Sequence, residues 1–235
     1  MVTLQECRLP IVEGDVKGYR VLRLPQELKE LFAEGASVVR LNSLDIARSM
    51  PDFGGRGSGE YHSLLPHQDH LEPSEDPRRF LMLTKHEDGA RGSSTLVMTP
   101  SVARMVLPVL EPWMTDEQKR ERISAERSYD TRFLITKEQY DSCFDEADGY
   151  ERVASHLLDG QTTAKQELSI RLGLLGYLIR GPSADEAMQE VVHACNGKFL
   201  EERWERGGVV IIDNRKVFHA RQGGNTPALQ RNFGT

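Results

Sequence analysis

The sequence predicts a mainly β fold with helices (α+β), a Greek-key or jelly-roll pair of sheets interrupted by a helical insert. Three observations predict it. Short apolar runs bounded by turn residues lie at both ends of the chain, and a stretch rich in helix-start signals lies between them. The C-terminal run Val209–Ile212 is apolar at consecutive positions, as a strand buried on both faces would be. Strands that follow such an insert must return beside the first set, which suits a jelly-roll better than a βαβ sheet.

The elements follow in order. "GYRVLRL" (Gly18 to Leu24) reads as a strand, "QELKELFAEG" after Pro25 as a helix, and "ASVVRLNSL" (Ala36 to Leu44) as a second strand. Pro51 to Glu60 reads as a loop. "RRFLMLTKHED" and "SSTLVMT" are strand-like runs separated by the turn signal "GARG", which predicts a hairpin. Thr115 and Thr136, each with Gln three residues on, and Ser183 with Glu186 read as helix starts. They make residues 115–200 mostly helical, apart from "DTRFLI" and the ambiguous "RLGLLGYLI". The chain turns β again in "RWERGGVVIIDNRKVFHAR", with Gly207 and Gly208 as the turn.

The chain has 235 residues, enough for one sizeable domain with a single core, and residues 1–235 are read as one domain with its insert at roughly 115–200. A net charge of −6 argues against a general nucleic-acid binder, which would gather Lys and Arg on one face. The sequence shows no apolar run of membrane-spanning length and no secretion signal, so no membrane partner and a cytoplasmic location are expected. Cys7, Cys143 and Cys195 are widely spaced, which suggests reduced, packed thiols. The oligomeric state is left open, a homodimer being the one candidate.

Chemistry concentrates in "LLPHQDHLEP", where His67, Asp69 and His70 crowd together. In an extended segment residues i and i+2 point the same way, so His67 and Asp69 face a common point and Gln68 faces away. An imidazole and a carboxylate so presented are two ligands for a divalent metal. A second imidazole would complete the 2-His-1-carboxylate face that leaves three positions open on iron. His219 offers it, just after the strand "VVIIDN" that a sheet would hold rigidly. H-x-D alone is a common chance pairing; the surrounding words give it weight.

"RWERGGVVIIDNRKVFHAR" resembles the last part of the signature of the taurine-dioxygenase-like and clavaminate-synthase-like Fe(II)/2-oxoglutarate oxygenases, in which Trp, a Gly turn, an apolar strand and "DNR" precede the distal metal histidine. Gly208 stands where that family usually has a polar residue. The resemblance implies a double-stranded β-helix (jelly-roll, cupin-like) core with flanking helices. It implies that His67, Asp69 and His219 bind Fe(II), that O2 is a co-reactant, and that Thr95, 28 residues past His67, and Arg231, 12 past His219, bind 2-oxoglutarate. Arginine suits this role because its planar fork matches a carboxylate bidentately. The implied reaction hydroxylates an unactivated C–H of a small molecule, an amino acid or natural-product intermediate, while 2-oxoglutarate becomes succinate and CO2. Asp69 argues against halogenation, which needs that position vacant for chloride.

Arg221, on the same side as His219, is a candidate for cosubstrate or substrate and equally for a structural salt bridge. His70 points off the shared face; His62 and Gln68 read as exposed loop positions flanking the site. "GGRGSG" (Gly54 to Gly59) lacks the G-K-[ST] of a phosphate loop and reads as a flexible edge of the site mouth. Trp204 reads as core, and Asp213 to Arg215 as the turn that delivers His219. The rival reading is a redox-silent Zn or Mn hydrolase or lyase on the same barrel, and the third a binding protein that kept the fold. A hydrolase has no need for a carboxylate clamp at Thr95 and Arg231, and intact ligands count against the third.

Overall fold

The computed structural model describes residues 2–4, 12–16, 19–42, 62–69, 79–84, 94–130, 135–158, 163–204, 206–223 and 230–235. His70, the glycine run at 54–59, the "GARG" turn, Cys7 and the centre of "DTRFLI" lie outside them. The strands are β1 (Val2–Leu4), β2 (Val12–Val16), β3 (Tyr19–Arg23), β4 (Val38–Asn42), β5 (Leu64–His67), β6 (Phe80–Thr84), β7 (Ser94–Met98), β8 (Leu200–Arg203), β9 (Gly208–Asp213), β10 (Phe218–Gln222) and β11 (Gln230–Gly234). Among the described residues the helices are α1 (Gln26–Ala33), then α2 (Pro100–Leu110), α3 (Pro112–Thr115), α4 (Glu117–Ala125), α5 (Lys137–Asp145), α6 (Gly149–Leu158), α7 (Ala164–Leu178) and α8 (Gly181–Cys195), all between β7 and β8 except α1. No helix among the described residues is long and apolar enough to cross a membrane.

Among the described residues the strands form a mixed α/β arrangement with two largely antiparallel sheets. One has seven strands in the order β1-β4-β9-β6-β11-β3-β2, the other four in the order β5-β10-β7-β8. From β5 onward the strands alternate between them except across the helical region, where β7 and β8 both lie in the small sheet: β5, β7, β8 and β10 are in the small one, β6, β9 and β11 in the large one. This overturns the predicted hairpin, because β6 and β7 sit in different sheets and pair with neighbours distant in sequence.

Burial explains the double apolarity of β9. Val209 and Ile211 pack outward with Leu28 and Phe32 of α1, whereas Val210 and Ile212 pack inward with Leu81, Val97 and Trp204 between the sheets. The small sheet turns Leu65, Leu96, Met98 and Phe218 toward the helices. Its opposite face is the one that meets the large sheet.

The helical region departs from the sequence reading at three points. It opens with α2 at Pro100, capped by the Thr99 side chain, well before Thr115. Thr115 closes α3, and Asp116 caps the next helix by accepting from Lys119 N at 2.9 Å. Ser183 lies inside α8, which starts at Gly181 with a proline in its first turn, so its hydroxyl is past the capping position. Thr136 does form the expected capping box with Gln139, and Thr163 forms another with Gln166. "RLGLLGYLI" resolves as helix within α7 and the following turn. Cys143 and Cys195 are buried and free, and burial pushes the Cys143 thiol up to about 12.

Candidate metal centre

Antiparallel pairing of β5 with β10 sets His67 opposite His219. The register shifts between His219 and Arg221, so that Arg221 stands opposite Leu64, three residues rather than two before His67. Such an irregularity re-aims side chains at a strand end. The two imidazoles lie with ring centroids 4.4 Å apart. Asp69 Oδ2 is 3.3 Å from His219 Nε2, and Asp69 Oδ1 is 3.9 Å from His67 Nε2. One ligand atom from each of the three residues falls within 4.8 Å of the others.

These side chains are only 22%, 10% and 8% exposed for His67, Asp69 and His219. A carboxylate so far removed from water needs compensating positive charge or donors. His67 Nδ1 lies 2.7 Å from the Leu65 carbonyl oxygen, a contact that places the proton on Nδ1 and leaves the Nε2 lone pair toward Asp69. His219 Nδ1 is buried without a hydrogen-bond partner among the described residues. Two imidazoles and a carboxylate fit a divalent first-row metal, whose bonds of about 2.1 Å at right angles put neighbouring ligand atoms about 3 Å apart.

The other predicted residues are distributed across the neighbouring strands. One row of register partners runs His67, His219, Val97, Leu200; the row two residues along runs Leu64, Arg221, Thr95, Glu202. Thr95 is buried and its Oγ1 accepts from Trp204 Nε1 at 3.0 Å, which leaves its own O–H to donate elsewhere. Trp204 is therefore more than core filling. Arg221 donates from Nη2 to the His62 carbonyl at 2.7 Å and so ties β10 to the segment entering β5. Arg231 lies in β11 opposite Leu83 of β6, and its side chain is outside the described residues.

Two flanking residues differ from their sequence reading. Gln68 is 8% exposed, not a loop residue in solvent, and its Nε2 donates to the carbonyls of Asn214 at 2.7 Å and Val217 at 3.0 Å. A buried amide must find partners, but these lie on a turn far along the chain that no local pattern announces. His62 Nδ1 lies 2.7 Å from Asp185 Oδ2 on α8, and Ser63 N donates to Asp185 Oδ1 at 2.7 Å. Burial works to raise the Asp185 carboxyl, but these bonds outweigh it and hold the pKa below the usual range. No sequence spacing links His62 to Asp185.

Comparison with protein-family models gives no match, and comparison with curated proteins gives none either. Among solved structures, the chain is similar to an asparagine oxygenase in complex with Fe(II), 2S,3S-3-hydroxyasparagine and succinate, with 13% identity, a TM-score of 0.39, and 90% of this chain and 80% of that one covered. It is similar to the non-heme iron oxygenase OrfP, at 13% identity, a TM-score of 0.37 and coverage of 90% and 81%. These two are iron oxygenases. A third is AAD-2 in complex with Mn(II) and N-oxalylglycine, at 14% identity, a TM-score of 0.37 and coverage of 97% and 98%. With all three scores below 0.5, the reading of the site rests on the chain's own geometry.

Proposed function

We propose that this chain is a non-heme Fe(II)- and 2-oxoglutarate-dependent oxygenase that hydroxylates a small molecule, an amino acid or natural-product intermediate. The observation that carries the proposal is the convergence of His67, Asp69 and His219 at the ends of two paired strands. The alternation of strands between two sheets supports a double-stranded β-helix core holding them.

His67, Asp69 and His219 would hold the metal, with Asp69 neutralising half of its charge. When bound, Fe(II) supplies O2 activation coupled to decarboxylation of the cosubstrate. Thr95 sits one strand over from β10 and two residues along from the metal row, roughly 7 Å at about 3.4 Å per residue. That span suits a short dicarboxylate bound to the metal at one end and to the Thr95 hydroxyl at the other. Arg231, on the facing sheet, would clamp the distal carboxylate; Arg221 would hold the wall between. Val97, Val210, Ile212 and Trp204 exclude water from this region.

The test is spectroscopic. Without oxygen, Fe(II) followed by 2-oxoglutarate should give a weak visible charge-transfer band, and Zn-loaded protein should not. Tight iron binding with no band at saturating 2-oxoglutarate would replace this proposal with the hydrolase reading.

A further inference from the structure

Strand β5 ends at His67 and β10 begins at Phe218, so the backbone ladder stops before it reaches the carboxylate. Two side-chain amides continue it. Gln68 Nε2 donates to the carbonyls of Asn214 and Val217, at 2.7 and 3.0 Å. In return Asn214 Oδ1 accepts from Asp69 N at 3.1 Å, and Asn214 Nδ2 donates to Asp69 O. Each segment thus offers one amide side chain to the other segment's backbone.

The Asn214 side is itself anchored to the large sheet. Its N–H donates to Arg79 O at 3.0 Å, and Asp213 N donates to Ser37 O at 2.9 Å. The buried Asp213 carboxylate accepts from Arg79 Nη2 at 2.8 Å and from Arg215 N at 3.1 Å. A rigid turn therefore grips both main-chain polar groups of Asp69. Aspartate has only two side-chain torsions, so fixing its backbone on either side of Cα confines the carboxylate to a few rotamers, and the one adopted sets Oδ2 3.3 Å from His219 Nε2.

We propose that Gln68 and Asn214 are positioning residues for the metal centre: their reciprocal amide staple holds the Asp69 carboxylate at the spacing from the two imidazoles that a divalent cation requires. This rests on the reading of His67, Asp69 and His219 as metal ligands. Groups that orient ligands without touching the metal typically change its affinity 10- to 100-fold when removed.

The experiment compares wild type with Gln68→Met and Asn214→Leu, which keep approximate volume and delete the amide, and with Asp69→Ala. Mn(II), a redox-stable octahedral stand-in, is titrated by the EPR signal of the free ion, without cosubstrate; thermal unfolding of the metal-free proteins is measured in parallel. The expected result is cooperative unfolding of the metal-free variants with Mn(II) binding about 10- to 100-fold weaker than wild type. A merely structural role would lower the metal-free unfolding temperature and leave Mn(II) affinity alone. Affinity within twofold of wild type in a cooperatively folded variant overturns the staple. Should Asn214→Leu fail to fold, Gln68→Met decides by the same criterion. Wild type that binds no Mn(II) overturns the metal-site reading and the staple with it, an outcome distinct from tight binding unaffected by either variant.

Discussion

A hydroxyl that accepts from one neighbour is left able to give to another, and Thr95 is in this position. Trp204 Nε1 holds its oxygen at 3.0 Å, so the proton is directed away from the tryptophan. Trp204→Phe keeps an aromatic six-membered ring and loses the pyrrole portion with its N–H donor. Removing a neutral hydrogen bond of about 0.5–1.5 kcal/mol should raise the 2-oxoglutarate half-saturation roughly 2- to 12-fold, with iron content unchanged. Succinate formation titrated against 2-oxoglutarate reads this directly. Asp185 supports a second expectation. Its folded pKa lies below its unfolded one, so its contribution to stability is present above the unfolded value, near pH 4, and is lost as pH falls through the folded value. Asp185→Asn should therefore flatten the acid side of the stability profile, as measured by urea unfolding at several pH values. At this scale the H-x-D pair was legible because strand parity is local. Gln68 and Trp204 were not, because their partners, Asn214 and Thr95, are more than 100 residues away.

Elements meet under tighter constraints than their sequences advertise. Gly149 opens α6 so close to α5 that a Cβ there would stand 1.9 Å from the Ser142 carbonyl oxygen. Backbone cannot move aside as a flexible side chain would, so Gly149→Ala should destabilise by about 1–3 kcal/mol, within the range for overpacking, as a lower urea midpoint at unchanged slope. The strand β9 was legible because burial on two faces leaves an unbroken apolar run. The α8 start was misread because Ser183 and Glu186 satisfy a capping pattern while the proline two residues into the segment sets the first turn earlier. Likewise "GARG" is a turn signal, but a turn signal does not say whether the strand beyond it returns to the same sheet. In this fold β7 goes to the other one.

At the scale of the whole molecule the cosubstrate candidates sit on two sheets: Thr95 and Arg221 in the small one, Arg231 in the large one. A dicarboxylate held by both would link the sheets. Arg231→Met, which keeps length but loses the charged fork, should raise the 2-oxoglutarate requirement roughly 30- to 1,000-fold, corresponding to about 2–4 kcal/mol, while Mn(II) affinity measured without cosubstrate stays put. An unchanged half-saturation would make Arg221 the first residue to test in its place. Element order pointed to strands returning after a helical insert, because composition changes along the chain. The pairing partners were not legible: β1 beside β4 and β11 beside β3 are parallel contacts between distant segments, and no local pattern encodes them.

Those distant pairings also set a clock. The ribosome releases β5 about 150 residues before β10, an interval of roughly 8–30 s at about 5–20 residues per second. During it His67 and Asp69 exist without His219, the Asn214 turn or the β10 edge. Only once β11 has emerged can it lie between β3 and β6, where Thr235 N reaches Leu22 O at 3.0 Å. A nascent chain thus displays two of the three candidate ligands on an unpaired strand edge, open to any stray cation or sticky neighbour. In the proposed centre, metal loading would therefore wait until β10 has joined β5.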